Sequence, residues 1–410
     1  MRNKNSVLGM LLAFIALPAL SSFAAVSLLQ SFTETNVSGN SEFGHSVANA
    51  GDVNNDTYDD VIVSAYAYNN DTGRAYIFYG GSSMNSTADV TLTGEGTGHY
   101  FGYSISGAGD VDADGFDDVI IGAFGYSSNT GRAYIYRGGS TMDNTPDLIM
   151  TGEAMNHFFG FSVASADSLI DDTYDAVIVG AYGYNSGVGR AYIYHGGSSL
   201  NGVADLTIDG VTAGDLFGKA VASVGDVNND GYGDVIIGAP GKTSNIGGAY
   251  IYFGGAGMDG GADVTMDGEA TVPYFGFSLS SAGDVDDDGY DDVIVGAYGN
   301  DTVTGSAYIY RGGSSMDGTV DFTLLGVDLG SYFGYSVSDA GDINGDDYAD
   351  VIVGAYRLGS YRGRAYIYLG GSTMSTTPAA IVTGTMSYDY LGRSVACAGD
   401  VNKDGFADVI

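Results

Sequence analysis

The sequence lacks several residue types that would point to other kinds of protein. It contains no tryptophan, one cysteine, five prolines and four histidines in 410 residues. One cysteine, Cys397, excludes an internal disulfide framework, so the core or bound ions must stabilise the fold. Basic residues are scarce as well: 14 Lys and Arg stand against 50 Asp and Glu, which gives a formal net charge of −36. Such a charge argues against nucleic acid or an anionic membrane as a partner.

The first 24 residues have the pattern of a secretory signal. Arg2 and Lys4 give a positive start, residues 7–20 form an apolar run, and residues 22–24 resemble a small-residue cleavage site. A membrane anchor is the alternative, but the apolar run is short and ends in Ala and Ser. We predict that residues 1–24 are a signal peptide. The mature chain would then have no transmembrane segment and would be secreted or displayed at the cell surface.

Residues 25–410 form one predicted domain of repeats. A Phe-Gly pair returns every 58 residues, and Leu-Gly replaces it in the last copy, so units start near residues 43, 101, 159, 217, 275, 333 and 391. Each unit has four short strand-like runs, such as residues 102–108, 118–123, 131–136 and 147–152. With 67 glycines for tight turns, this pattern predicts an all-β fold, a β-propeller of four-stranded antiparallel blades. The missing tryptophan and the repeat length argue against a WD-type propeller.

Each unit carries a nine-residue loop between its first two runs, and these are named loops 1 to 7 in chain order. In loop 2, Asp110, Asp112, Asp114 and Asp118 hold positions one, three, five and nine, and Phe116 offers a backbone carbonyl at position seven. Ca²⁺ takes six to eight oxygens of this kind in flexible geometry. The predicted ligands are Asp52, Asn54, Asp56, Tyr58, Asp60, Asp110, Asp112, Asp114, Phe116, Asp118, Asp226, Asn228, Asp230, Tyr232, Asp234, Asp284, Asp286, Asp288, Tyr290, Asp292, Asp342, Asn344, Asp346, Tyr348, Asp350, Asp400, Asn402, Asp404, Phe406 and Asp408.

Two loops depart from this pattern. Loop 3 has Ser168, Ile170, Asp172 and Ala176 at positions one, three, five and nine, so only one carboxylate remains and we predict no metal there. Position six needs positive φ, which glycine adopts easily, whereas loop 1 has the β-branched Thr57. We therefore expect about six Ca²⁺ per chain. The number would be lower if loop 1 or the seventh unit fails to bind.

The fourth unit shows the full motif of a known family. Its Phe217-Gly218, its Asp loop at 226–234 and its Gly-Ala-Pro at 238–240 resemble the FG-GAP repeat of integrin α-subunit propellers and their bacterial relatives. The likeness runs over residues 43–410. It implies a seven-bladed propeller whose Asp loops join the first two strands of each blade and hold Ca²⁺, with a carboxylate ligand at position nine. The other units depart from the family pattern, because Tyr or Phe takes the place of the proline.

The sequence ends within the second strand of the seventh unit, at Ile410. The seventh blade is therefore predicted to be incomplete in this chain. Residues 26–32 could supply its fourth strand and close the ring. Alternatively, the sequence is a fragment of a longer protein, which is the reading we favour.

No feature of the sequence marks a catalytic centre. It has no Gly-x-Ser-x-Gly elbow, no Walker loop and no zinc-ligand spacing, and its four histidines do not form a site. A pair of acids could serve a glycosidase, but catalytic acids should break the symmetry of the repeat, and these acids follow it. We predict no enzymatic activity. A carbohydrate-active propeller enzyme and a structural module of a longer surface protein are the alternatives.

Aromatic residues are concentrated in turns on the face opposite the Asp loops. In a meander, the turns between strands two and three lie on the other side of the disc from those between strands one and two. Tyrosine on variable loops is a common contact residue in recognition. In integrin propellers the corresponding face meets ligands, which the resemblance adds. We predict that a protein or glycan partner binds there, in a secreted adhesion module, on the residues Tyr68, Tyr126, Tyr184, Tyr298 and Tyr356.

Overall fold

The computed structural model describes residues 9–14, 26–32, 41–170, 173–198, 200–300 and 302–410. Within these ranges the chain forms 28 strands, β1 to β28, and five four-residue helical turns, α1 to α5. The first two strands, β1 (Gly9–Phe14) and β2 (Val26–Phe32), precede the repeats. No helix in the described ranges is long and apolar enough to cross a membrane.

Six repeats each fold into one four-stranded antiparallel blade, and these are named blades 1 to 6 in chain order. Their strands are β3 (Phe43–Gly51), β4 (Asp60–Ala65), β5 (Arg74–Phe78) and β6 (Val90–Thr93); β7 (Ile105–Gly109), β8 (Asp118–Ala123), β9 (Arg132–Tyr136) and β10 (Leu148–Thr151); β11 (Ser162–Asp167), β12 (Ala176–Ala181), β13 (Arg190–Tyr194) and β14 (Leu206–Asp209); β15 (Ala220–Gly225), β16 (Asp234–Gly238), β17 (Gly248–Tyr252) and β18 (Val264–Asp267); β19 (Phe275–Gly283), β20 (Asp292–Ala297), β21 (Ser306–Tyr310) and β22 (Phe322–Leu325); β23 (Ser336–Gly341), β24 (Asp350–Ala355), β25 (Arg364–Tyr368) and β26 (Ala380–Thr383).

The second strand of a blade is its most apolar and most buried element. All six residues of β8 are buried, as are those of β20 and β24. A continuous apolar run suits this strand because neighbouring blades cover both of its faces. The fourth strand is the outer edge, and β18 alternates buried and exposed residues accordingly.

The hydrophobic core lies between adjacent blades. Ile62 and Ile77 of blade 1 belong to one buried cluster with Val119, Ile121 and Tyr134 of blade 2. The first strands contact one another in sequence around the centre, and their small residues allow this close approach. Each blade is thus stabilised by its neighbours and not by a core of its own.

The Phe-Gly pair joins each blade to the blade before it. Phe159 is fully buried and packs on Tyr192 in its own blade, while its backbone bridges to Gly131 of the preceding blade. A Cβ atom on Gly131 would lie 1.9 Å from the carbonyl oxygen of Phe159, so this position requires glycine. The Phe-Gly pair of one repeat and the glycine before the third strand of the preceding repeat therefore contact each other.

Short turns connect the second and third strands in five blades. They are α1 (Tyr68–Asp71), α2 (Tyr126–Asn129), α3 (Tyr184–Gly187), α4 (Lys242–Asn245) and α5 (Leu358–Tyr361). Their two central residues have left-handed φ, as at Asn69 (48°) and Asn70 (58°). Asn, Ser and Gly occupy most of these central positions, and these residues tolerate such backbone angles better than bulky ones.

The prediction of seven blades with an incomplete seventh is wrong: six blades form, each from one full repeat. The seventh repeat supplies β27 (Cys397–Gly399) and β28 (Asp408–Val409), and the sequence ends at Ile410. These two strands join β1 and β2 in a four-stranded sheet of mixed origin, the closing sheet, with the order β2-β1-β28-β27. The strand β27 contacts both β23 and β3, so the closing sheet lies between blades 6 and 1.

The segment 26–32 occupies the outer position of the closing sheet, the place of the fourth strand that the sequence offered as one of two alternatives. The third position is taken by β1, which lies within the predicted signal peptide. Only one residue pair, Leu12 with Val409, joins β1 to β28. Most of residues 1–24 lie outside the described residues, and the signal peptide stays a prediction.

Candidate metal centres and the aromatic face

A β-bulge positions the start and end of every Asp loop. In blade 2, Gly109 at the end of β7 lies opposite Asp118 at the start of β8, with a register shift just before it. The same pairing places Gly51 opposite Asp60 and Gly283 opposite Asp292. The bulge lets the ladder end abruptly, so the loop leaves and re-enters the sheet at one point. Positions one and nine are thereby brought together.

The side chain at position one organises the loop that follows it. Asp110 accepts hydrogen bonds from the backbone N–H of Asp114 (3.1 Å) and of Gly115 (2.8 Å). Asp114 accepts one from the N–H of Phe116 at 3.1 Å. Loops 1, 4, 5, 6 and 7 repeat this arrangement, for example at Asp226 with Asp230 and Gly231. The sequence-predicted ligand positions therefore form one local structure in all six intact loops.

The carboxylates of two loops converge. Single oxygens of Asp110, Asp112 and Asp118 lie within 4.8 Å of one another, and so do those of Asp284, Asp286 and Asp292. In both loops the Oδ1 atom at position three is buried and has no hydrogen-bond partner. A buried oxygen without a donor, beside two further carboxylates, is a fitting ligand for a hard cation. The residues present therefore fit the group that their pattern implies.

The carboxyl group at position nine is the most buried of the set. Asp118 is fully buried and accepts hydrogen bonds from the N–H groups of Val111 (3.0 Å) and Gly138 (2.8 Å). Burial raises the pKa of Asp118 to about 7, although these two donors lower it in part. The pKa is raised in the same way to about 8 at Asp60 and to about 7 at Asp234, Asp292, Asp350 and Asp408.

Two features follow the predicted departures. At position six, Thr57 has a φ of 80° and Asp347 one of 72°, where four other intact loops have glycine. In loop 3, the Ser168 hydroxyl donates to Asp175 at 3.2 Å, and Ala176 offers no oxygen at position nine. Asp172 lies outside the described residues. Weak binding at loop 1 and no metal at loop 3 remain predictions, as does ligation by the position-seven carbonyls.

The sequence analysis missed a carboxylate at position eight that clasps neighbouring loops together. Asp117 accepts a hydrogen bond from the backbone N–H of Asp52 in the preceding blade at 2.8 Å, and Asp59 accepts one from Asp400 at 2.7 Å. The same contact joins Asp175 to Asp110 and Asp291 to Asp226. The signal was present as the repeated Asp-Asp pair at positions eight and nine, but only the fold shows that the first of the two reaches across a blade boundary.

On the opposite face, three of the predicted contact residues are stacked against arginines. The guanidinium carbon lies 3.7 Å from the ring centre of Tyr68 for Arg74, 3.6 Å from that of Tyr126 for Arg132, and 3.8 Å from that of Tyr184 for Arg190. His99 and His157 pack edge-on against Tyr126 and Tyr184, each at 5.0 Å. These tyrosines are half-buried, so packing uses much of each ring.

The other two predicted residues lie in an aromatic cluster nearer the centre. Tyr298 stacks on Tyr274 at 4.8 Å, and Tyr356 packs edge-on against Tyr335 at 4.5 Å. The residue after each Phe-Gly or Leu-Gly pair forms the inner part of this cluster, which we call the central ring. Its members are His45, Tyr103, Phe161, Lys219, Phe277, Tyr335 and Arg393.

The central ring, which the sequence analysis missed, contains two of the chain's own cations. The Lys219 amine lies 3.7 Å from the ring centre of Phe161 and 4.0 Å from that of Tyr182. Burial lowers the pKa of Lys219 to about 8. Arg393 donates to His45 Nδ1 at 3.3 Å, and burial, with the charge of Arg393, lowers the pKa of His45 to about 3. Cation–π contacts of this kind stabilise cations away from water.

Comparisons with known proteins agree with the repeat pattern. The FG-GAP repeat model matches residues 43–78, 101–136, 217–252, 275–310 and 333–368. The repeats that it does not match include the third, whose loop keeps one acid at the four ligand positions, and the seventh. The chain thus carries five FG-GAP repeats in a propeller that resembles the N-terminal domain of integrin α subunits.

Curated relatives include integrin alpha-V of Gallus gallus, 36% identical over 227 residues, and integrin alpha-5 of Xenopus laevis, 32% identical over 231 residues. Each match covers 52% of this chain and 21% of the relative, so the chain spans about a fifth of their length. Among solved structures, Chaetomium thermophilum Sqt1 bound to the N-terminus of the ribosomal protein L10 is 13% identical, with a TM-score of 0.48 over 85% of this chain and 77% of that one. That likeness is too weak to support an argument.

Proposed function

Because the chain carries five FG-GAP repeats in an integrin-like propeller, we propose that it is an exported, calcium-binding module that recognises a protein or glycan and has no catalytic activity. One observation carries the proposal: six loops share one hydrogen-bonded structure, and in loops 2 and 5 three carboxylates converge within it. Oxygen ligands in flexible loops suit Ca²⁺ better than softer metals. About six ions per chain would be held, one by each intact loop.

The main effect of bound calcium would be to stabilise the folded chain. In each intact loop it would offset the repulsion among three or four carboxylates, of which the one at position nine is buried. An ion that binds only the folded chain stabilises that chain by mass action. Bound calcium would then fix the start of the second strand in each intact repeat, because position nine is the first residue of that strand.

The symmetry of the acids supports a binding role over a catalytic one. Every intact loop has the same hydrogen-bonded backbone, and in the part of the chain that the structure describes, both groups of three acids that could hold a metal lie in Asp loops. The aromatic face opposite the loops supports a recognition surface, because its turns differ between blades while the scaffold does not.

Metal analysis and thermal unfolding test the calcium proposal. After dialysis against buffer with CaCl₂, about six calcium ions per chain are expected, and chelation should lower the melting temperature. Asp288→Asn removes a position-five carboxylate and should reduce the calcium count by one, whereas Asp172→Asn in loop 3 is the matched control and should leave it unchanged. A wild-type protein without bound calcium would refute the proposal.

Binding and export need separate tests. A glycan array and a screen of extracellular proteins, each run with calcium and with chelator, should give calcium-dependent binding. N-terminal sequencing of the exported protein should find a start near residue 25. Retention of residues 1–24 in the exported protein would contradict the signal-peptide prediction.

A further inference from the structure

The six intact loops differ in the residue at position three. Position three is Asp in loops 2 and 5, and Asn in loops 1, 4, 6 and 7. The residue just after the third strand differs in the same repeats. It is Arg137 in blade 2 and Arg311 in blade 5, but Tyr79, Phe253 and Leu369 in blades 1, 4 and 6. Arginine thus occurs at this position only where position three is Asp.

The two residues of each pair are in contact. Arg137 Nη1 lies 2.7 Å from Asp112 Oδ2, and Arg311 Nη1 lies 3.0 Å from Asp286 Oδ2. Both carboxylates are only 9% exposed, while the arginines are about one-third exposed. The second oxygen of each carboxylate is buried and has no hydrogen-bond partner. Each arginine therefore engages one oxygen and leaves the other to the loop.

The charges of the side chains at these two positions explain why they differ together between repeats. At positions one, three, five and nine, a loop with Asn at position three has three carboxylates, whereas loops 2 and 5 have four carboxylates and one paired guanidinium. Counted over these positions and the paired arginine, all six intact loops have the same charge of −3, by two different routes. A partly buried counterion is felt strongly because water screens it poorly.

We propose that Arg137 and Arg311 are positioning counterions that hold the position-three carboxylates and bring the charge at positions one, three, five and nine to that of the other intact loops. The part of this inference that concerns calcium rests on the proposed function. Without an ion, the arginine offsets repulsion among four carboxylates. Once Ca²⁺ is bound, the ion itself supplies that neutralisation, so the arginine contributes less. The arginine therefore supports the cation-free loop more than the loaded one and moderates the affinity for calcium.

A double-mutant cycle in the full chain tests this proposal. Arg137→Phe should lower the melting temperature in chelator by about 2 °C and leave that in CaCl₂ almost unchanged. The rise produced by calcium then becomes larger than in the wild type. Adding Asp112→Asn reproduces the natural pair of blade 4, Asn228 with Phe253, and should restore the melting temperature in chelator. Arg311→Phe with and without Asp286→Asn should behave alike.

Phe253→Leu is the matched control, because it changes the same position in a blade whose position three is already neutral. It should leave both melting temperatures and the effect of calcium unchanged. An equal loss with and without calcium, not rescued by Asp112→Asn, would show that Arg137 only packs and would overturn the proposal. If the wild type bound no calcium at all, the proposed function would fail, while the cycle in chelator would still decide whether the arginine is a counterion.

Discussion

At the scale of single residues, the position-nine carboxyl groups are in the least favourable environment. Asp118 is fully buried, and its two backbone donors do not compensate the loss of water, so burial raises its pKa to about 7. Five equivalent residues share this condition. A cation beside them would favour the ionised form and reverse the effect.

This burial predicts an unusual dependence of stability on pH. The pKa at position nine is raised in the folded state, from 3.8 to about 7 in five loops and to about 8 at Asp60. Between these values the folded chain binds more protons than the unfolded chain, so its stability falls as pH rises. Metal-free protein should therefore melt at a higher temperature at pH 5 than at pH 7.

The measurement is thermal unfolding of exhaustively demetallated protein across this pH range. His45 and His99 act in the opposite direction, since burial lowers the pKa of each and removes stability as pH falls below 6.5, but they are two groups against six. With saturating CaCl₂ the trend should flatten or reverse, because protons then compete with the ion. A higher melting temperature at pH 7 in metal-free protein would show that the position-nine carboxyl groups are not strained by burial.

At the scale of the element, loops 1, 2, 4 and 7 are each held to a neighbouring loop by the position-eight clasp. Asp117 closes the loop of blade 1 by accepting the N–H of Asp52, and Gly51 beside it leaves the space that the carboxylate needs. Blades 4 and 6 have Gly233 and Ala349 at position eight and do without this side chain. The interface between two blades can therefore form without this hydrogen bond.

We expect Asp117→Ala to destabilise the protein modestly. It leaves the N–H of Asp52 without its protein acceptor, which costs about 1 kcal/mol and lowers the melting temperature by about 2 °C. Asp143→Ala, at an exposed Asp in the turn between β9 and β10 of the same blade, is the control and should change little. Equal melting temperatures for the two variants would mean that water replaces the clasp without loss.

The aromatic turns belong to the same scale, and their contacts separate stability from recognition. Tyr126 lies between Arg132 and His99, and Arg132 also pairs with Glu95 at 2.7 Å. Tyr388 is 58% exposed and stacks on Tyr361. Among these rings Tyr388 is the one with most free surface.

We therefore predict that Tyr126→Ala lowers the melting temperature, because it removes the ring that Arg132 and His99 share. Tyr126→Phe keeps the ring and should leave the melting temperature unchanged. Tyr388→Ala should leave stability nearly unchanged and weaken binding to any partner found in the screen. If Tyr126→Ala were as stable as the wild type, the stacked contacts would not contribute to the fold.

At the scale of the whole molecule, the closing sheet brings the two ends of the chain together. Phe32 of β2 is fully buried and packs on Phe78 of blade 1 at 4.1 Å between ring centres. Asp59 and Asp400 add a hydrogen bond between the first and last loops. The strand β1 meets β28 at one residue pair only, so it is the least anchored part of this closure.

A variant that begins at Ala25 should therefore fold, with a melting temperature close to that of the longer chain and the same rise on calcium addition. Removing residues up to Phe32 is the comparison, because it also deletes the buried ring against Phe78 and should destabilise blade 1. Both are measured by thermal unfolding with and without calcium. If the variant starting at Ala25 unfolded, β1 would be essential, and a signal peptide at that site would be incompatible with the fold.

Much of the architecture could be predicted from the sequence because successive repeats show the same pattern of apolar, glycine and acidic positions. The apolar runs such as residues 118–123 and the Phe-Gly pairs predicted the four-stranded blades, and the alternating acids predicted the loops. The number of blades and the composition of the closing sheet could not be derived, because β1 is not part of any repeat. Its pairing depends on what lies beside it at the end of the ring.

The sequence by itself determined the blade, the Asp loop and the identity of the position-nine carboxyl groups, since these follow from contacts within one repeat. Only the tertiary structure decided which residues meet across blade boundaries. The clasp of Asp117 on Asp52 and the contact of Lys219 with Phe161 in the central ring join residues of different blades that no local pattern connects. Side chains far apart along the chain become neighbours only when the sheets are packed face to face around a common centre.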